Sequence, residues 1–159
     1  QHFVSLANAY LPEPDLDIPA LFQMWSQTLG RPAVLPSYER EVDLTRLIDL
    51  RGPYCAYLAR TIISPKVRRA YLVVGNNDAY RLYLNGEQVA EVEECVWWAP
   101  FNNVHLVELR EGPNEIVLKL LKRRDEVRFT LGIRACTHED GGHNREDWLV
   151  DLSDRVPMV

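Results

Sequence analysis

The stretch GNNDAYRLYLNGEQV, residues 75–89, decides the fold class. Tyr80, Leu82 and Leu84 alternate with Arg81, Tyr83 and Asn85, the period-two pattern of a strand with unlike faces. Asn85-Gly86 then supplies the two positive-φ positions of a type I′ turn, and EQVAEVEE (87–94) returns as the partner strand. Ahead of the hairpin, Asn76, Asn77 and Asp78 are residues that turn a chain by bonding their own backbone, and ligand contact is their alternative use.

Outward from this hairpin the same period recurs. YCAYLARTII (54–63) and RRAYLVVG (68–75) are rich in β-branched and aromatic residues and are divided by Ser64-Pro65. VHLVEL (104–109) leads through REGPN into EIVLKLLKRR, where Ile116, Leu118 and Leu120 line one face and Val117, Lys119 and Leu121 the other. VRFTLGIRA (127–135) places Phe129, Leu131 and Ile133 inward, and DWLVDL (147–152) suits a last strand. Strands at this spacing, with no helix between them, predict an all-β antiparallel sandwich rather than βαβ units. Before Pro36 the pattern differs. Asp17 as cap, Pro19 in the first turn, and Leu21, Phe22, Trp25 and Leu29 as a stripe predict a short amphipathic helix over 17–30, ended by Gly30. The expected organisation is one domain, with a helical or irregular arm over 1–40 and a sandwich over 41–152.

Composition narrows the function classes. The net charge of −5 opposes the basic face of a nucleic-acid binder. The dense basic groups, Lys66 to Arg69 and Lys122 to Arg124, sit at strand ends where solvated charges are expected. No apolar run approaches the roughly 20 residues of a membrane span, so membrane insertion is not expected. The chain opens on Gln1 rather than Met, as an excised piece of a longer protein would. Three separated cysteines, Cys55, Cys95 and Cys136, form no Cys-x-x-Cys pair; small buried thiols are expected, and one disulfide is compatible with the count.

Residues 54–135 carry a family resemblance. The Gly75-Asn76-Asn77-Asp78 loop, the aromatic-rich strand after it, the Asn85-Gly86 turn, the Leu109 to Asn114 turn and the aliphatic row Ile116 to Leu120 with Lys119 resemble the galactose-binding-like jelly-roll domains attached to bacterial glycoside hydrolases. The resemblance implies a jelly-roll sandwich acting as a non-catalytic accessory module. Such a module would bind carbohydrate weakly or position a catalytic neighbour in the same polypeptide, in an extracellular or periplasmic setting. A purely structural or protein-interaction domain is the alternative. Relatives with an aspartate doublet in this loop differ from the Asn77-Asp78 found here, which argues against a loop-bound cation.

The candidate contact stretch is ECVWWAPFNN (94–103). Trp97 and Trp98 are adjacent, so on an extended chain they point to opposite sides and at most one enters the core. The other could stack on the apolar face of a sugar ring, pack on a neighbouring domain or plug one end of the sandwich. Asn102, Asn103, Asn76, Asn77, Asp78 and Arg81 are the polar candidates around it. Catalysis has little support. Glu93 and Glu94 are strand neighbours that point apart and cannot flank one glycosidic bond. THEDGGHN (137–144) holds His138, Glu139, Asp140 and His143 without a metal-binding helix pattern, so no metal or cofactor is expected and a solvated loop is the default.

Overall fold

A computed structural model describes residues 4–13, 17, 42–47, 51–99, 102–135 and 150–151. Apart from Asp17, the helix expected over 17–30 lies outside them, as do Cys136 and the 137–144 loop. Along the described chain run β1 (Val42–Asp43), a single helical turn α1 (Leu44–Leu47), β2 (Tyr54–Ser64), β3 (Arg68–Asn76) and β4 (Tyr80–Leu84). Then follow β5 (Glu87–Val92), β6 (Asn103–Leu109), β7 (Gly112–Lys122), β8 (Arg128–Ala135) and β9 (Val150–Asp151).

The Asn85-Gly86 turn forms as its sequence requires, with φ of 51° at Asn85 and 80° at Gly86. It is the tip of a longer construction. β4 pairs with β5, β3 with β6, β2 with β7 and β1 with β8, all antiparallel. The chain is therefore one antiparallel ribbon bent at its tip and rolled up, the double Greek key of a jelly roll. Rolling adds the β3–β8 and β4–β7 pairings, which divide the ribbon into two sheets of order β1-β8-β3-β6 and β2-β7-β4-β5. β9 adds to β8 outside this path. The tip itself is tied down. Asn85 Nδ2 donates to Asn114 Oδ1 at 3.0 Å, and Asn85 Oδ1 accepts from the Glu115 N–H at 2.9 Å. Asn114, fully buried, also closes its own turn through Arg110 N–H and the carbonyls of Arg110 and Gly112.

The core lies between the sheets, and the alternation read from the sequence sets it. Tyr80, Leu82 and Leu84 of β4 meet Ile116, Leu118 and Leu120 of β7, with Phe129 and Ile133 from the facing sheet. The register between β4 and β5 shifts after Leu82, leaving Val89 as an extra residue that still packs against the core.

The outer face of β4 and β7 departs from expectation. A half-buried strand would leave Tyr83 partly wet, yet it is 3% exposed and Lys119 is completely buried. The arm explains both. Residues 4–13 run irregularly across this face, placing Leu6 against Ala79 and Leu121 and Leu11 against Tyr83 and Val117. Lys119 Nζ spends its three donors on Leu6 O (2.9 Å), Asn8 O (2.7 Å) and Glu13 Oε1 (2.7 Å). The rings of Tyr10 and Tyr57 flank it at 5.5 and 5.7 Å. Glu13 in turn accepts from the hydroxyls of Tyr57 and Tyr83 and from Arg81 Nη1 at 3.1 Å. Burial alone would raise the Glu13 carboxyl; its bonds to Lys119, Tyr57 and Tyr83 outweigh burial and hold it below 4.5.

Glu13→Gln is expected to cost about 3–5 kcal/mol in urea denaturation, because Lys119 keeps its buried charge without a counter-charge. Adding Lys119→Met should recover part of that loss, and a single-variant cost under about 1 kcal/mol would reduce the pair to an ordinary surface contact. At the ribbon tip, Gly86→Val should lower stability by about 1–3 kcal/mol, since a β-branched residue resists positive φ. A melting temperature equal to the parent's would remove the turn from the fold's determinants.

Candidate functional site

The ends of β3, β7 and β5 and the starts of β4, β6 and β8 meet at one end of the sandwich. The β5–β6 connection crosses this end, and Trp97 stands out of it at 93% exposure with Val96 beside it at 43%. Trp98 turns the other way and is half-buried, as adjacent extended positions require. Its indole Nε1 is shielded from solvent and has no hydrogen-bond partner among the described residues.

The backbone that carries Trp97 is held on several sides. Val96 N–H donates to Asn77 O at 3.1 Å, and Asn102 Nδ2 donates to Trp97 O at 3.2 Å. Asn102 Nδ2 also reaches Asn76 O at 2.8 Å. Asn76 is fully buried, donating to Asp78 O at 2.8 Å and accepting from Asn103 Nδ2 at 2.9 Å. Asn77 bridges across to the β7–β8 connection, donating to Glu126 O and accepting from Arg128 N–H. The structure thus gathers Trp97, Asn76, Asn77, Asp78, Asn102 and Asn103 at one end. Trp97 faces solvent, while the five polar residues are bonded within the protein. Arg81 points elsewhere, to Glu13 and to Glu91 at 2.6 Å on the outer face of the β2–β7–β4–β5 sheet.

Asp78 is 2% exposed, and its carboxylate is filled by protein donors. Oδ1 accepts from Ala79 N–H (2.6 Å), Arg123 Nε (2.7 Å) and Cys95 Sγ (3.2 Å), and Oδ2 from Arg123 N–H (2.7 Å). Arg123 and Cys95 were not among the residues singled out by sequence. Arg123 reads as one of three turn cations and Cys95 as an isolated thiol; only the fold brings them to Asp78. Burial, aided by the Asp78 carboxylate, raises the Cys95 thiol, and burial pushes Cys55 up to about 11. Both are free thiols. Among the described residues no group of three or more His, Cys, Asp or Glu gathers as for a metal ion. No helix among them is long and apolar enough to cross a membrane.

Between the sheets near this end, Tyr80 is fully buried and its hydroxyl lies 2.6 Å from His105 Nε2. With His105 in its neutral Nδ1–H tautomer, Nε2 accepts a hydrogen bond from the Tyr80 hydroxyl, and the rings meet edge-to-face at 6.0 Å.

No family model matches the chain, and no curated protein matches it. The crystal structure of the PA14 domain of MpAFP antifreeze protein resembles it at a TM-score of 0.47 and 16% identity, over 67% of this chain and 52% of that one. The chain spans about half the length of that solved chain. The fold assignment rests on the strand pairing described above.

Burial lowers the His105 imidazole below 6.5, so the folded protein disfavours its charged form. Its contribution to stability is complete above 6.5 and is lost as pH falls through the lowered value, because the unfolded chain takes up the proton first. His105→Gln should flatten that part of the stability–pH curve. An NMR titration of the His105 ring is expected to give a midpoint below 6.5, and a midpoint at or above it would contradict this assignment.

Proposed function

We propose that this chain is a non-catalytic accessory domain of a larger bacterial carbohydrate-active protein, with Trp97 as its contact residue. One observation carries the reading: Trp97 is 93% exposed on a loop whose neighbouring backbone groups are bonded on both sides. A large flat aromatic left in water loses hydration-driven free energy that burial would return, and a held loop loses little conformational freedom when a partner covers it. A sugar ring suits such a platform because its C–H face is apolar. The likeness of residues 54–135 to galactose-binding-like accessory domains of glycoside hydrolases supports carbohydrate as the ligand class. With Asn76, Asn77, Asp78, Asn102 and Asn103 bonded inside the protein, the contact would be stacking with few side-chain hydrogen bonds. Weak binding follows.

A second reading is a structural or protein-interaction domain that docks a neighbour of the same polypeptide through this loop. The exposed apolar pair Val96–Trp97 favours it, since aromatic anchors recur at the centres of protein interfaces.

Glycan-array binding of the isolated domain, repeated with Trp97→Ala and Trp98→Ala, separates the two. Trp97→Ala should keep the parent melting temperature and lose at least about tenfold in glycan affinity, or ~1.4 kcal/mol. Trp98→Ala should instead lower the melting temperature, because that ring is half-buried. Absence of glycan binding by the parent, with Trp97→Ala weakening assembly of the full-length protein, would replace the sugar platform by the docking reading.

A further inference from the structure

We infer that Arg123 is the positioning residue of the Trp97 loop, an inference that rests on Trp97 being the contact. Arg123 lies one residue beyond β7, in a connection that shares no strand pairing with the loop. Its own placement is fixed first. Backbone N–H and side-chain Nε both donate to the Asp78 carboxylate at 2.7 Å, and Asp78 is held in turn by Ala79 N–H at 2.6 Å. With Nε occupied, the planar guanidinium can present its remaining donors in one direction only. That direction is the loop: Nη2 reaches Glu93 O at 2.7 Å and Cys95 Sγ at 3.3 Å, and Nη1 lies 3.7 Å from Glu93 Oε2. Cys95 closes the triangle by donating to Asp78 Oδ1 at 3.2 Å.

Residues 93 and 95 are thereby fixed to the buried Asp78, Val96 N–H follows onto Asn77 O, and the next residue is Trp97. One fork joins three acceptors on two chain segments. A lysine ammonium could satisfy Asp78 or Glu93 O, but its flexible stem does not hold both in a set plane. The Asn-Asn-Asp loop and Arg123 would thus serve ligand contact from beneath, by fixing the aromatic that makes it.

Amide hydrogen exchange of the intact chain tests this directly. In Arg123→Lys and Arg123→Ala the Val96 amide should exchange at least about tenfold faster, while Leu82 and Leu118 amides in the central strands keep the parent rate. The ¹H–¹⁵N NOE of the Trp97 indole should fall in the same variants. Glu93→Ala removes only the exposed 3.7 Å contact and should leave both readouts at parent values. Unchanged Val96 exchange and an unchanged indole NOE in a folded Arg123→Lys would overturn the inference, as would equally faster exchange at Leu82 and Val96 alike. If Arg123→Ala does not fold, Arg123→Lys decides alone. Neither readout needs a ligand. Faster Val96 exchange in a parent that binds no glycan would retire the carbohydrate reading and keep Arg123's role. Glycan binding lost in Trp97→Ala but untouched in Arg123→Lys, with Val96 unchanged, would do the reverse.

Discussion

A lysine in the middle of an otherwise aliphatic strand constrains everything laid over that sheet. Lys119 is separated from solvent on every side, so each of its three protons must find an acceptor inside the protein. Strand neighbours do not supply them, because the carbonyls of β4 and β7, and those of β2 that face β7, are used in the ladders. The arm over residues 4–13 brings two carbonyls and a carboxylate instead. That carboxylate then requires its own company, which Tyr57, Tyr83 and Arg81 provide. The outer face of one sheet has become a second interior, built around charge rather than around aliphatic contact. Its worth lies less in net attraction than in how costly any partial version of it would be.

The Asn76–Asp78 loop obeys a similar logic at the sandwich end. Here the polar groups are buried because the chain must reverse direction between the sheets, and a reversal leaves backbone donors and acceptors without ladder partners. Asn and Asp side chains answer that need locally, and Asn102, Asn103 and Arg123 complete the set from other connections. What remains outside is Trp97. The division is clear: the polar side chains are bonded within the protein, and Trp97, with Val96 beside it, faces water.

Most of the sandwich is legible in the sequence because strands announce themselves through period two and the Asn85-Gly86 turn admits few alternatives. The bounds of β2, β3 and β7 fall close to the runs that suggest them, and Tyr80, Leu82 and Leu84 point where alternation sends them. Where the arm docks is illegible for a physical reason. Its partner Lys119 lies far away along the chain, and nothing in LPEP or in VLKLL signals that the two meet. Trp97 and Trp98 show both sides of this limit. Their opposition follows from backbone geometry, but which of them faces outward depends on where Asn77 and Asn102 hold the loop. The same holds for Asn76 and Asp78, whose turn-forming character can be read in the sequence and whose complete internal bonding cannot. Arg123 looks like any strand-end cation until Asp78 arrives beside it.

The rolled ribbon also orders events in time. During synthesis the arm leaves the ribosome well before β7, since Leu6 and Lys119 are 113 positions apart. Glu13 must therefore stay hydrated while the β4–β5 hairpin closes locally at Asn85-Gly86 and pairing spreads outward along the ribbon. Until β7 joins, Leu6, Leu11 and Tyr10 have no sheet to cover, and the apolar side of the arm is exposed to whatever else is nascent. The arm, among the first parts of the domain made, thus has its native contacts only once β7 has joined.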